Sequence, residues 1–234
     1  MIKFKFASCV ISALIVAASS VGQNTSAQVT KQDLARMPLK NMPLDNVLQL
    51  EHESIIQLLA RFSFYYNVPF GFEIARGSRE PDIAFKKGTL LDLLNQFVTK
   101  HKEYSRKIED GVINVFPKED YRDPVVREVI ETKIRDFSVE EKTTTMGFGE
   151  NLLSSPEIKR VLELYGSTYD AGYLGGFYIQ QLGQRYSFHA SDIQLKSILN
   201  KVVKESPVAK NWIILNNSSI QRLYLRVNAR VEYP

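Results

Sequence analysis

The sequence predicts an α+β protein made of two small modules, and three observations carry that prediction. Stretches with apolar residues at helical spacing alternate with shorter stretches of two-residue alternation. An Asp-Gly pair, Asp110-Gly111, sits between two β-rich runs, the strongest local signal for a hairpin. A charged segment between two prolines, 117–124, separates the patterned regions on either side. Composition agrees with a packed protein: of 234 residues, 44% are hydrophobic and 24% charged, with 12 Gly and 9 Pro, which excludes a disordered tail, a collagen or a coiled coil.

Residues 1–27 have the three parts of a secretory signal: Lys3 and Lys5, an apolar run from Val10 to Ala18, and the small-residue end Thr25-Ser26-Ala27, with cleavage expected after Ala27. The run is shorter than the roughly 20 residues of a membrane span, and no later stretch is long and apolar enough to be one. The sole cysteine, Cys9, lies in this leader. The mature chain therefore cannot form disulfides, and its stability has to come from packing. Without Lys3 and Lys5 the 30 basic residues fall to 28 against 26 acidic ones, a balance that does not point to nucleic acid. The expected compartment is the periplasm.

Residues 28–44 carry two prolines and no sustained period, and read as a flexible approach. Val47-Leu48-Gln49-Leu50 is a strand candidate that opens a module over 45–116. Ser54 precedes Gln57 by three residues, a capping box, and Ile55, Ile56, Leu58, Leu59 and Phe62 give the helix its apolar face. Phe70, Phe72 and Ile74 alternate as a strand, and Ile83-Ala84-Phe85 forms another. Gly88-Thr89 caps a second helix with Leu90, Leu91, Leu94, Phe97 and Val98 on one side, and the hairpin 104–116 follows. The order is βαββαββ, two helices packed on short sheets.

Residues 117–124 read as a linker, and 125–234 as a second α+β module. There Val129 to Val139 reads as a strand, Ser155-Pro156 opens a helix and Asp192 caps another; Trp212 to Leu215 is a buried strand. The last strand alternates Leu223, Leu225, Val227, Ala229 and Val231 with Arg222, Tyr224, Arg226, Asn228 and Arg230. Leu-Leu-Asn-x-Phe-Val at 93–98 matches Ile-Leu-Asn-x-Val-Val at 198–203, which makes the second module a candidate divergent copy of the first.

The residues Leu48, Leu50, Ser54-Ile55-Ile56-x-Leu58-Leu59, Pro69-Phe70-Gly71-Phe72, Ile83-Ala84-Phe85-x-x-Gly88-Thr89-Leu90-x-x-Leu93-Leu94 and Asp110-Gly111-Val112-Ile113-x-Val115 resemble the secretin and TonB short N-terminal domain. The match covers about a third of the chain and falls mostly on apolar positions. It implies a periplasmic module that works by protein–protein contact and has no catalytic residues to carry over. In that family the module usually precedes an outer-membrane barrel or pore, and no such region follows it here, so the resemblance implies a non-catalytic adaptor with an envelope protein as partner.

The residues themselves offer no catalytic constellation. His52, His101 and His189 are scattered without a ligand cluster, so no metal is expected. There is no Gly-x-Ser-x-Gly elbow, Gly147-Phe148-Gly149 lacks the third glycine of a dinucleotide loop, and no cofactor is expected. Glu140-Glu141 and Asp170 have no spacing that identifies a glycosidase pair. Two binding candidates stand out. Tyr165, Tyr169, Tyr173 and Tyr178 lie among glycines, a composition that suits a peptide or glycan platform. Arg222, Arg226 and Arg230, with Tyr224 between the first two, project from one side of the last strand as a row for an anionic partner. The alternatives to an adaptor are a carbohydrate- or peptidoglycan-binding module using the tyrosine segment, and an envelope hydrolase tested at Asp170 and His189.

Overall fold

The computed structural model describes residues 29–38, 53–77, 81–85, 87–139, 145–170, 187–206 and 209–229. The leader 1–27 and the strand expected at 47–50 lie outside these residues. Helices and strands are mixed along the chain, as the α+β class requires.

Part of the expected flexible approach is a short helix, α1 (Lys31–Leu34), closed by a Thr30–Asp33 capping box. Leu34 is fully buried and Pro38 bridges Thr89, so apolar burial holds this segment down. Strand β1 (Glu53–Ser54) leads into α2 (Ile55–Tyr66), where the Ser54 hydroxyl accepts from the Ile56 N–H at 3.2 Å. Asn67, at φ 55°, ends that helix. Then come β2 (Phe70–Glu73), β3 (Asp82–Ile83), α3 (Leu90–Lys100), β4 (Tyr104–Glu109) and β5 (Val112–Pro117). Asp110 and Gly111 have φ of 53° and 82°, the positive values that a two-residue hairpin demands. From the first helix onward the expected αββαββ order is thus present, and β1 at Glu53–Ser54 stands before it, while the first strand expected at 47–50 lies outside the described residues.

Residues 117–124 are not a free spacer. Glu119–Tyr121 form a 3₁₀ turn, Arg122 points at buried Glu73, and Asp123 caps α4 (Pro124–Glu131) by accepting from Val125 N at 2.9 Å and Val126 N at 3.2 Å. Asp-Pro here is a cap followed by proline at the first helical position, not the end of a linker. The strand expected from Val129 begins only at β6 (Lys133–Val139). Helices α5 (Thr145–Leu153) and α6 (Pro156–Leu164) and strand β7 (Thr168–Asp170) follow. Gly147 and Gly149 lie within α5, and Phe148 packs edge-on against Phe137 with ring centroids 5.4 Å apart, so no phosphate loop forms there. Ser155 stands at the N-cap of α6, but its hydroxyl makes no capping bond.

Strand β8 (Phe188–Gln194), helix α7 (Leu195–Glu205) and strands β9 (Ala209–Asn217) and β10 (Arg222–Ala229) complete the described chain. Asp192 does not cap α7; it sits within β8 at φ 55°. The first N–H of α7, on Leu195, is satisfied by the carbonyl of Thr132.

One six-stranded sheet, ordered β4-β5-β2-β9-β10-β7, runs across both expected modules, with two ribbons, β1–β3 and β6–β8, beside it. In the first half β1 pairs antiparallel with β3, β4 and β5 form a hairpin, and β2 runs parallel to β5. The second half repeats this: β6 with β8, β9 with β10, and β7 parallel to β10. The matched hexamers fall on α3 and α7, each 11 residues long. Their shared asparagines do similar work, each accepting from a side chain on the strand that follows. Asn95 Oδ1 takes Arg106 Nη2 at 2.6 Å, and Asn200 Oδ1 takes Trp212 Nε1 at 2.9 Å.

The halves join where β2 runs parallel to β9, from Phe70 opposite Asn211 to Glu73 opposite Ile214. Gly71 faces Trp212, and a Cβ there would fall 2.1 Å from the indole, so only glycine lets the ring lie on the strand. The sheet is covered on both sides. Phe70, Phe72, Ile113, Val115 and Ile213 share a core with α2 and α3, whereas Trp212, Ile214, Leu223, Leu225 and Val227 share another with α4, α5, α6 and α7. No helix among the described residues is long and apolar enough to cross a membrane.

Candidate interaction edge

Strand β4 ends the sheet, and among the described residues nothing pairs with its outer side. Which backbone groups it presents follows from the hairpin. A two-residue turn makes its flanking residues, Glu109 and Val112, a hydrogen-bonded pair, and bonded pairs then recur at every second residue. Lys107 and Ser105 therefore bond to β5, as does Glu103, whose carbonyl accepts from Lys118 N at 2.7 Å. The N–H and C=O groups of Arg106 and Ile108 point away from the sheet, free to pair with an added strand.

Beside this edge is an open groove of about 470 Å³ lined by Lys31, Val98, Tyr104, Ser105, Arg106 and Lys118. Three of the six residues are cationic, and none is acidic. The Arg106 guanidinium is braced by the neutral Asn95, and burial without a carboxylate partner holds its pKa below the usual arginine value. Nearby acids are engaged elsewhere: Asp33 with Thr30, Glu103 with His101 at 3.3 Å, and Glu119 with Arg127. Tyr104, at the groove floor, accepts from Ala75 N at 2.9 Å, and burial pushes its phenol up to about 12, so it adds no negative charge. On the opposite face of β4, Lys107 and Lys196 both pair with Glu109, at 2.8 and 2.7 Å. The opposite face thus sets two lysines on one carboxylate, whereas the groove side has three cations and, among the described residues, no ion pair.

The residues singled out from sequence are placed differently. Tyr165 follows α6 at the surface, and Tyr169, on β7, packs against the second core; Tyr173 and Tyr178 lie outside the described residues. Parallel pairing sets Tyr169 and Asp170 beside Leu223 and Tyr224, which brings the two sequence candidates together at one end of the sheet. Arg222 spends its charge there on Asp170, 3.8 Å away. Tyr224 and Arg226 are half-buried, opposite Leu215 and Ile213 of β9, and Arg230 lies outside the described residues. His101 lies against the Asp82 carbonyl at 3.0 Å and exposed His189 is 3.6 Å from Asp136; His52 and Glu140-Glu141 lie outside the described residues. No group of three or more metal-ligating side chains occurs among the described residues.

The groove was not legible in sequence because its cations are spread over 88 positions, from 31 to 118, and meet only through the fold. Comparison of the chain with protein-family models, curated proteins and solved structures gives no significant match.

Proposed function

We propose that this is an exported, non-catalytic interaction protein of the cell envelope that accepts an extended segment of a partner protein along the outer edge of β4. One observation carries the reading. The chain already performs this kind of addition on itself, because β9, which occupies in the second half the place of β4 in the first, takes β2 on the side that β4 leaves open. Main-chain hydrogen bonds supply affinity in such an arrangement, with no special side chain required. The resemblance of residues 47–116 to the secretin and TonB short N-terminal domain supports the same reading, since those modules work by contact in the periplasm. So does the leader pattern in residues 1–27. We read 125–234 as a divergent copy of the first module, on the strength of the recurring strand pairing.

The test places a photo-crosslinking residue at Ser105 or at Lys107, in separate variants, and at Tyr224 as a control, in the protein's own host. A specific adduct from β4 that disappears when Ile108→Pro removes an outward N–H supports strand addition, provided the variant keeps its wild-type melting cooperativity. The same adduct at equal yield from Ile108→Pro would overturn it.

A further inference from the structure

The cations beside β4 specify what kind of segment the edge takes. From their clustering we infer that the added strand is acidic, a stretch of partner polypeptide bearing Asp or Glu side chains that meet Lys31, Arg106 and Lys118. The inference rests on the strand-addition reading and adds chemistry to it.

The internal joint supplies the argument. Where β9 receives β2, the side chain held by the helix asparagine is Trp212, and the incoming strand offers Gly71 for the indole to lie on. At β4 the side chain held by the corresponding asparagine is Arg106. A guanidinium half-removed from water gains most from a carboxylate, with which it forms two parallel bonds. Lys31 on α1 and Lys118 after β5 are exposed and line the same groove, and among the described residues neither has a carboxylate partner. The three charges would thus engage acidic side chains on one flank of an incoming strand while the outward groups of Arg106 and Ile108 bond its backbone. Unpaired edges commonly carry charge to repel other strands. Here charge of a single sign also selects, because it repels basic segments and attracts acidic ones. A peptide fits better than a phosphate or uronate polymer, since only a peptide answers both the cations and the row of backbone donors and acceptors.

The mature full chain is titrated with a fluorescein-labelled peptide of about eight residues, a typical strand length, alternating Glu with Val or Thr. Parallel titrations use its Gln isostere and an acidic version N-methylated at every amide, which blocks both strand edges. Binding of the acidic peptide about tenfold or more tighter than its isostere at low salt is expected, with the ratio shrinking at high salt as screening demands. Lys31→Ser with Lys118→Ser, two exposed sites that leave the core intact, should bring the ratio close to one, and Arg106→Ser should do the same. N-methylation of every amide should abolish binding. Equal binding of the acidic peptide and its isostere would overturn the acidic preference and leave strand addition standing. Undiminished binding of the methylated peptide, or polyphosphate competing as well as the peptide does, would overturn strand addition itself. Failure of all three peptides to bind at millimolar concentration would overturn the inference.

Discussion

Replacing Gly71 with alanine tests the joint that holds the halves together. The new Cβ would lie 2.1, 2.2 and 2.6 Å from Cε2, Cζ2 and Nε1 of Trp212. Carbon atoms in contact sit about 3.5–4.0 Å apart, so the strand or the ring has to give by more than an ångström. The strand is held by β5 on one side and β9 on the other. The ring is fully buried and tethered to Asn200 at 2.9 Å. Overpacking of this kind costs about 1–3 kcal/mol, and a ring that swings away strands a buried hydrogen-bonding group for about 1–3 kcal/mol more. The expected loss is therefore about 2–6 kcal/mol, a large share of the roughly 5–15 kcal/mol that a folded protein has. Urea unfolding followed by far-UV circular dichroism and by emission of the chain's single tryptophan measures it. Trp212→Leu in the Gly71→Ala background should recover part of the loss, making the pair non-additive. A Gly71→Ala protein within about 0.5 kcal/mol of wild type, a change ordinary for surface sites, would refute the packing argument.

Two further outcomes follow from buried and capping charges. Glu73, only 1% exposed, bonds Arg122 at 2.9 Å, and Arg122 also reaches Glu131 at 2.7 Å. Burial pushes the Glu73 carboxyl up although the guanidinium opposes it. Arg122→Ala should cost about 3–5 kcal/mol near neutral pH, and Glu73→Gln combined with Arg122→Met should recover most of it. The penalty should shrink in acid, where Glu73 takes up a proton, and a penalty independent of pH would contradict the account. Asp92 is held below its ordinary 3.8 by bonds from the backbone and hydroxyl of Thr89. A depressed carboxyl stabilises the fold above its unfolded value and loses that contribution as pH drops through the folded one. Asp92→Asn should accordingly melt below wild type at pH 6 and converge with it toward pH 2, and a constant gap in melting temperature would contradict the capping role.

Local signals in the sequence reached as far as local physics does. The Asp110-Gly111 turn, the Thr89 cap and the apolar faces of α2, α3, α6 and α7 are set by neighbouring residues, and the structure has them where spacing puts them. Asp123-Pro124 carries a cap and a helix start, yet its charged, proline-flanked setting reads equally as a spacer, and packing decided for the helix. The joint between β2 and β9 pairs residues roughly 140 positions apart, and no periodicity encodes such a partner. What sequence does offer there is Gly71 between two phenylalanines, a glycine in a strand, which marks the close approach of another group. The same distance problem hid the groove, whereas the recurring hexamer, being local, pointed correctly at two helices in corresponding places.

The shared sheet has a consequence for the order of folding. Residues 53–117 can close their hairpin and pack α2 and α3 early, from contacts near in sequence. Strand β2 then waits with one side bare until β9 arrives, and the face that will meet α7 and Trp212 has no cover from them until residues beyond 194 are made. Long-range parallel pairing of this sort is slow to form, and a bare central strand is where stray chains stick. Chains cut short before β9 should aggregate rather than persist as a tidy half, and the closing step, in which the late hairpin docks onto the early one, is the moment at which the molecule most needs to be kept from its neighbours.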